Sequence, residues 1–309
     1  MDIIGIIMSA GKASVNVALY TLIPIMVVML IIMKYLEVRG ILDRIVRLMT
    51  PILKPFGITG MGIFALIQLN FVSFAAPLAA LAIMERRGAS DRQLAATLAM
   101  LFAMGQGNVF YPLIPFGLHW GAALAISVAG GLAASAVTWY CFGRKLSPAT
   151  LHREESGPDD KASTGLIAII NGAGSDAIRL SLGSVPMLIL SLTVVGILQE
   201  SGAIELLTRL IAPVMHFFNL SDIYILPALT KCLAGGTAYF GVVSDLLHRG
   251  VMTAQQVNAS AGLMIQTLDL PGIGIYLGLA SRFVRLFRFV LPGALLGILL
   301  RSVLHGGMF

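Results

Sequence analysis

The chain has 309 residues, of which 57% are apolar and only 12% are charged, and its mean hydropathy is +0.89. Soluble globular chains have about 25% charged residues. Apolar runs such as Val15 to Met33 are long enough to cross a hydrocarbon layer of about 30 Å as helices. The composition therefore predicts an all-α integral membrane protein and excludes soluble enzymes and nucleic-acid binders. The net charge of +6 reports membrane orientation, because the 21 Lys and Arg residues lie in short segments between apolar runs.

The N-terminus has no basic region and no small-residue cleavage signature before the first long apolar run, so we expect no cleaved signal peptide. The first long apolar helix is predicted at about Ser14 to Leu36. An amphipathic stretch follows at Gly40 to Lys54, with apolar residues at helical spacing and charged residues on the other face, which predicts a helix lying in the membrane interface. The next apolar stretch, Thr59 to Glu85, is interrupted at Asn70 to Pro77 and is either a kinked crossing or a re-entrant hairpin. Two further helices are predicted at Asp91 to Gly117 and His119 to Phe142.

The one strongly polar stretch, Gly143 to Thr164, divides the chain into two halves. At a constant shift of 162 residues, the second half repeats the prolines, glycines and arginines of the first. The coinciding pairs include Pro24 with Pro186, Gly40 with Gly202, Arg47 with Arg209, Pro51 with Pro213, Arg87 with Arg249, Gly88 with Gly250 and Gln93 with Gln255. This agreement predicts an internal duplication: a first repeat at 1–142, a polar linker at 143–165 and a second repeat at 166–309.

The second half repeats the same order of elements. A long helix is predicted at Asp176 to Leu198, an amphipathic stretch at Gly202 to His216, and an interrupted stretch at Ser221 to Leu247. The interruption of this last stretch is expected at Gly235, Gly236 and Thr237.

The basic residues favour the re-entrant reading of both interrupted stretches. If Thr59 to Glu85 enters and returns on one side, the basic stretch before it, the basic loop after it and the polar linker all lie on that side. Each half then has three crossings, an odd number, so the second repeat must be inverted relative to the first. This arrangement places about fifteen Lys and Arg in the cytoplasm and about four outside, as the positive-inside rule expects. We therefore predict two inverted-topology repeats, each with three crossing helices, one interfacial amphipathic helix and a re-entrant helical hairpin, with a cytoplasmic linker and both termini outside.

The duplicated order of elements resembles the nucleoside-recognition (Gate-domain) family, which includes spore maturation proteins A and B and the membrane domain of bacterial ferrous-iron transporters. A more distant resemblance is to concentrative nucleoside transporters. The residues that carry it are Gln68, Asn70, Ser73 and Pro77, the sequence GQGN at Gly105 to Asn108, and in the second half Lys231, Gly235, Gly236, Thr237 and Asp269. The resemblance covers nearly the whole chain and implies a multi-pass protein of the bacterial cytoplasmic membrane with a nucleoside-like solute.

Asp269 is the strongest candidate for a functional residue, because it lies in the apolar segment Ala261 to Leu279, where a charge is costly unless it is paired or hydrated. At the 162-residue shift its counterpart is Gly107, so the two helix breaks are expected to face each other. Lys231 lies within a hairpin arm, and a Lys231 to Asp269 pair is expected to be either a structural lock or part of a site for an ion or a charged solute.

The other candidate substrate-binding residues are polar side chains beside the predicted breaks: Gln68, Asn70, Ser73, Gln106, Asn108, Thr237, Gln266 and Thr267. Such side chains donate to a solute, or they satisfy backbone groups that a helix break frees. No catalytic or metal site is predicted, because the five histidines are expected at loops or surface helices without metal-ligand spacing. Cys141 and Cys232 lie in apolar surroundings.

Two classes of function remain. A secondary transporter would bind a small polar solute, and a coupling ion (sodium or a proton), near the midplane between the repeats. The alternative is a membrane scaffold or partner subunit without transport, or a translocator of a lipid headgroup. The expected partners are the lipid bilayer and a small solute, with homo-oligomerisation left open and no other cofactor.

Overall fold

The computed structural model describes residues 2–149, 165–203 and 221–309, together with positions 206 and 209. Every regular element in these residues is helical, which confirms the predicted all-α membrane fold. Four segments are long and apolar enough to cross a membrane: Ile3–Tyr20, Asp91–Phe116, Trp120–Phe142 and Ser281–Met308. A fifth candidate is the bent pair Ile41–Phe56 and Gly60–Phe71.

The first half contains eight α-helices in the described residues. They are α1 (Ile3–Asn16), α2 (Ile23–Val38), α3 (Ile41–Leu53), α4 (Gly60–Phe71), α5 (Leu78–Arg86), α6 (Asp91–Ala103), α7 (Gly107–Leu113) and α8 (Trp120–Val137). A π-helical turn at Val17–Leu22 joins α1 to α2, and another at Thr138–Phe142 extends α8. The first helical segment therefore begins at Ile3, earlier than the predicted start near Ser14.

The second half contains α9 (Leu166–Glu200), α10 (Ile225–His248), α11 (Ala254–Met264), α12 (Leu270–Leu277) and α13 (Ser281–Met308) among the described residues. Helix α9 extends the predicted helix at Asp176 to Leu198 by about two turns or more at its start. Most of the predicted linker, 150–164, and most of the predicted surface helix, Gly202 to His216, lie outside the described residues.

Polar contacts show which helix ends lie together, and they define two groups at opposite ends of the molecule. At the first end, which we call the linker end, Arg282 donates to Asp91 at 2.6 Å, joining the start of α13 to the start of α6. Arg92 donates to the Trp139 carbonyl oxygen at 2.7 and 2.9 Å, and the amide of Arg92 donates to the Ser147 carbonyl oxygen at 3.4 Å. The start of α6, the end of α8 and the first residues of the linker therefore lie together.

The opposite end, which we call the C-terminal end, holds the turn between α7 and α8. The amide of His119 donates to Asn258 Oδ1 at 2.8 Å, and Asn258 Nδ2 donates to the Gly117 carbonyl oxygen at 2.9 Å. The chain terminus joins them, since Gln255 Nε2 donates to the Phe309 carbonyl oxygen at 3.0 Å and the Phe309 ring stacks on His119. Helix α11 therefore starts at the end where the α6–α7 segment finishes, and the two run in opposite directions.

The other helices that the 162-residue shift relates are also antiparallel. The α1–α2 segment packs against α9, with Asp2 hydrogen-bonded to Glu200 and Lys34 paired with Asp176 at 3.4 Å. Helices α8 and α13 cross closely at small residues: a Cβ on Gly297 would lie 2.5 Å from the Gly130 carbonyl oxygen. Such contacts are typical of helix pairs in membranes.

Two helical hairpins enter from opposite ends and reach the middle of the molecule. Helices α4 and α5 pack together, with α4 following the segment Lys54–Phe56 at the linker end and α5 returning to the start of α6. Helix α10 is folded at Gly235, whose φ of 83° and ψ of −177° break its helical path. Both ends of α10 pack near the α7–α8 turn, since the Phe116 ring contacts His248 and Ile223 joins the same apolar cluster.

The amphipathic helix α3 meets α4 at 102°. Its residues Leu48 and Ile52 are 72% and 64% exposed. A helix perpendicular to the hairpin arm, with exposed apolar side chains, has the geometry of a helix that lies along the membrane surface.

Close packing of α11 on α13 depends on Gly262, because a Cβ there would lie 2.3 Å from the Arg301 carbonyl oxygen. We expect Gly262→Ala to lower the free energy of unfolding by about 1–3 kcal/mol, since a backbone atom cannot yield as a flexible side chain does. The matched control is Gly121→Ala in α8, where nothing lies within 4 Å of the added Cβ. Thermal unfolding in detergent checks this, and equal midpoints for the two variants would contradict the close approach.

Candidate functional site

The two broken helical segments meet at their interruptions. The α6–α7 segment is interrupted at 104–106, and the α11–α12 segment at 265–269. Thr267 of the second segment donates to two carbonyl oxygens of the first: its amide to that of Phe102 at 3.1 Å and its hydroxyl to that of Met104 at 3.0 Å. Gln106 Nε2 donates to the Gln266 carbonyl oxygen at 3.0 Å. The breaks thus face each other, as expected, and each satisfies backbone groups that the other has freed.

The first hairpin reaches this junction through Asn70 at the end of α4. Asn70 Oδ1 accepts a hydrogen bond from Ser127 Oγ at 3.1 Å, and that hydroxyl oxygen accepts one from the Gly105 amide at 2.8 Å. The start of α7 lies directly against the hairpin, since a Cβ on Gly107 would be 2.7 Å from the Asn70 carbonyl oxygen. Only glycine allows so close an approach between the two backbones.

The tip of the second hairpin lies against both breaks. A Cβ on Gly235 would be 3.2 Å from Pro271, and one on Gly236 would be 2.5 Å from Gln106 Oε1. On the far arm, Thr237 Oγ1 accepts a hydrogen bond from Asn108 Nδ2 at 3.4 Å. The interruption that was predicted at Gly235 to Thr237 is confined to Gly235, because positive φ is found there alone within α10.

Lys231 and Asp269 form a buried ion pair, with side chains 1% and 2% exposed. The carboxylate is held from two directions: Oδ2 contacts the ammonium group, while Oδ1 accepts from the Gly272 amide at 2.7 Å and caps α12. The start of a helix carries a partial positive charge, so the cap also favours the ionised carboxylate. The pair joins the second hairpin to the α11–α12 segment.

The predicted residues fall into two groups. The larger group surrounds the junction of the breaks with the second hairpin and consists of Gln106, Asn108, Lys231, Thr237, Gln266, Thr267 and Asp269. The smaller group, at the first hairpin, consists of Gln68, Asn70 and Ser73. Nine of these residues are buried, and Gln68 is partly exposed. Thr267 and Asn70 brace the breaks through their side chains.

Several of these side chains have a buried acceptor without a donor among the described residues. These atoms are Oε1 of Gln68, Gln106 and Gln266, Oδ1 of Asn108 and the hydroxyl oxygen of Ser73. The orientation of the Gln106 amide is fixed, because its nitrogen donates to the Gln266 carbonyl oxygen and its oxygen must then point away. The junction therefore presents acceptors, and a ligand rich in N–H or O–H groups would satisfy them.

Arg301 was not among the predicted site residues, and His305 was expected at a loop or surface helix. Both are fully buried in α13, and His305 Nδ1 lies 2.9 Å from the Asn258 carbonyl oxygen. The expectation that all histidines lie at loops or surface helices was wrong for His305, because α13 continues to Met308. The rule that selected Asp269, an ionisable residue inside a long apolar segment, would also have selected Arg301.

Residues 19–138 match the family model described as Gate, nucleoside recognition. The match lies within the first half and confirms the resemblance for that part of the chain. Among curated proteins nothing matches.

Solved structures extend the likeness to nearly the whole chain. The concentrative nucleoside transporter CNTnw, in an inward-facing substrate-bound state, is 16% identical with a TM-score of 0.68, covering 92% of this chain and 74% of that one. A CNTnw variant in an outward-facing state is 15% identical with a TM-score of 0.67, and one in an intermediate state is 17% identical with a TM-score of 0.64. Both cover 93% of this chain and 76% of theirs. At these identities the likeness establishes the fold alone.

The Lys231 to Asp269 pair leads to a double-mutant prediction. We expect Lys231→Met and Asp269→Asn each to lower the free energy of unfolding by about 3–5 kcal/mol, because each leaves one buried charge without its partner. Asn retains an acceptor for the cap of α12. The double variant should lose clearly less than the sum of the two single losses.

The matched control is the exposed pair of Arg249 and Asp245 on the same helix, 3.2 Å apart. Arg249→Met should change the free energy of unfolding by less than about 1 kcal/mol. Chemical unfolding in mild detergent measures all four variants. Additive losses at Lys231 and Asp269 would show that the two charges do not depend on each other.

Proposed function

We propose that the protein is a secondary transporter of a small polar, nucleoside-like solute that binds where the two helix breaks meet the two hairpin tips. The observation that carries the proposal is the set of buried, unpaired carboxamide oxygens of Gln68, Gln106, Asn108 and Gln266. Leaving a buried acceptor unpaired costs about 1–3 kcal/mol. A fold that keeps several of them around one junction gains most from a ligand that donates to them.

Nucleosides have the chemistry that this junction needs. Ribose hydroxyls and the amino and imino groups of the bases are donors, and carboxamides hydrogen-bond to base edges in other proteins. The match to a nucleoside-recognition family and the likeness to a substrate-bound CNTnw structure support the same solute class. In this proposal Gln68, Ser73, Gln106, Asn108, Thr237, Gln266 and Asp269 contact the solute, whereas Asn70 and Thr267 hold the breaks and Lys231 holds Asp269.

A scaffold without transport accounts less well for the junction. A purely structural core is expected to pair its buried polar groups internally. At the breaks, Thr267 and Gln106 donate to freed backbone carbonyl groups, as this expectation requires. The carboxamide oxygens have no such partner among the described residues. Transport is therefore the better supported function.

The two halves, 1–142 and 166–309, are proposed to be inverted repeats joined by a cytoplasmic linker at 143–165. The antiparallel directions of all three related helix pairs support this, as do the hairpins that enter from opposite ends. The linker end carries Arg86, Arg87, Arg92, Arg282 and Arg285, so it is the cytoplasmic side by the positive-inside rule. In transporters with such repeats, a central site is exposed to each side in turn, either by rocking of the repeats or by gating elements that move around the fixed site.

Solute binding is tested by thermal unfolding of the purified protein with a panel of nucleosides and nucleobases. A solute that binds only the folded state at about 100 times its dissociation constant adds about 2.7 kcal/mol of stability and raises the midpoint. We expect at least one nucleoside to do so in the unaltered protein. Gln68→Leu should reduce this increase without lowering the midpoint of the ligand-free protein, because Leu replaces a side chain with an unpaired acceptor.

The matched control is Thr97→Val. The Thr97 hydroxyl is also buried and unpaired, but it lies beside Gly62 in the arm of the first hairpin, away from the breaks. This variant should keep the full increase. A panel without any increase, together with a lipid or a protein that co-purifies in constant proportion, would replace the transport proposal with the lipid-translocator or scaffold function.

The inverted arrangement predicts the sides on which two related residues are accessible. Arg87 and Arg249 are exposed, lie at the ends of the two hairpins, and are 162 residues apart. In a variant with Cys141 and Cys232 replaced by Ser, a membrane-impermeant maleimide should label Arg249→Cys in intact cells. It should label Arg87→Cys only after permeabilisation. Labelling of both positions from one side would contradict the inverted repeats.

A further inference from the structure

The most unusual charge in the core is Arg301, whose side chain is fully buried in the membrane-crossing helix α13. Its guanidinium group donates through Nη1 to the Ala103 carbonyl oxygen. Through Nη2 it donates to the carbonyl oxygens of Ile265 at 2.7 Å and Ala261 at 3.4 Å. Arg301 therefore joins the two broken segments, and all its hydrogen-bond acceptors are backbone carbonyl oxygens.

These acceptors belong to the C-terminal ends of two half-helices. Ala103 is the last residue of α6, Ala261 is in the last turn of α11, and Ile265 is the first residue after it. The carbonyl groups at a helix C-terminus have no partner within the helix and carry a partial negative charge. Two such ends that converge in the membrane core form a site for a cation, and the guanidinium group fills it.

The glycines along α8 and α11 provide the space that the arginine needs. A Cβ on Gly130 would lie 2.2 Å from Arg301 Cγ, and a Cβ on Gly262 would lie 2.3 Å from the Arg301 carbonyl oxygen. Both the side chain and the backbone of Arg301 thus pass neighbouring helices at glycines. The packing around this residue is built for an arginine at this depth.

The charge balance of the core also indicates that Arg301 is the cation of this site. Among the described residues, the buried Asp, Glu, Lys and Arg side chains are Lys231, Asp269 and Arg301. Lys231 already neutralises Asp269, so Arg301 leaves the core with one net positive charge, and none of the described carboxylates forms an ion pair with it. A further cation would enter a core that has no free carboxylate among these residues.

In transporters made of inverted repeats, unwound carbonyl groups and half-helix C-terminal ends bind the mobile sodium ion or proton. We propose that Arg301 is a resident cation that takes this place, so that the junction stays joined and the solute binds without a mobile cation. The structural role of Arg301 is independent of the proposed function. The statement that the solute binds without a mobile cation rests on the proposed transport function.

The first experiment uses ligand-free protein, so that it is independent of whether a solute is found. The midpoint of thermal unfolding is compared in sodium, potassium and choline chloride at equal ionic strength. We expect midpoints that agree within about 1 °C, because no site for a mobile cation is open. A midpoint that is several degrees higher in sodium than in choline would overturn the proposal.

The second experiment removes the resident cation. Arg301→Ala should lower the midpoint by about 5 °C or more, because it leaves three backbone acceptors unpaired. Guanidinium chloride at about 10 mM should raise the midpoint of this variant by several degrees, since a small cation that binds only the folded state stabilises it. Tetramethylammonium chloride and urea at the same concentration should not.

The matched control is Arg285→Ala, an exposed arginine on the same helix, whose midpoint guanidinium should not raise. If Arg301→Ala does not fold, Arg301→Lys is measured instead and should be folded and insensitive to sodium. The proposal fails if Arg301→Met is as stable as the unaltered protein, or if guanidinium affects Arg301→Ala no more than Arg285→Ala.

Discussion

The constraint on which this structure depends is the satisfaction of backbone groups where helices break inside a membrane. Water is scarce at that depth, so each freed amide or carbonyl group must find a partner in the protein. The protein brings its two breaks together and lets each supply partners to the other: Thr267 binds carbonyl oxygens on both sides of Ala103, and Gln106 binds the Gln266 carbonyl oxygen. Arg301 completes the arrangement at the two helix C-termini. Neither break could persist alone, so the halves of the chain depend on each other at their centre.

This mutual dependence explains why the polar side chains divide into two kinds. Those that support the breaks are fixed by hydrogen bonds: Thr267 donates to the Met104 carbonyl oxygen, and Asn70 donates to the Leu66 carbonyl oxygen and accepts from Ser127. The carboxamide oxygens of Gln106, Asn108 and Gln266 are directed elsewhere and keep their acceptor capacity. Backbone contacts thus hold the ends of the half-helices rigidly in place. The unpaired acceptors beside these helix ends are available to recognise a solute.

Much of the fold could be predicted from the sequence, because its main signals are local. Prolines, glycines and arginines that recur at one shift predicted the order of long helices and hairpins that the described residues have, and the single carboxylate in an apolar run identified Asp269. The contacts of Arg301 could not be predicted in the same way, because its partners are separated from it by 198 and 36 residues and are backbone atoms without a residue-specific signal. The extent of the break in the second hairpin could not be predicted either. Gly235 and Gly236 are both glycines in the sequence, and only Gly235 has a positive φ in the structure.

The two buried basic residues differ in what holds them, and this difference indicates which parts of the protein can move. Lys231 lies on a hairpin and is held by one side chain, Asp269, so a shift of the hairpin tip at Gly235 changes their separation. Arg301 is held by carbonyl groups of two different helices, and it can lose them only if those helices separate from each other. Separating the two broken helices breaks the hydrogen bonds of Arg301 together with those of Thr267 and Gln106, whereas moving the second hairpin breaks the Lys231 to Asp269 pair. Access to a solute at the junction is therefore expected to come from movement of the hairpin tips around a fixed pair of broken helices.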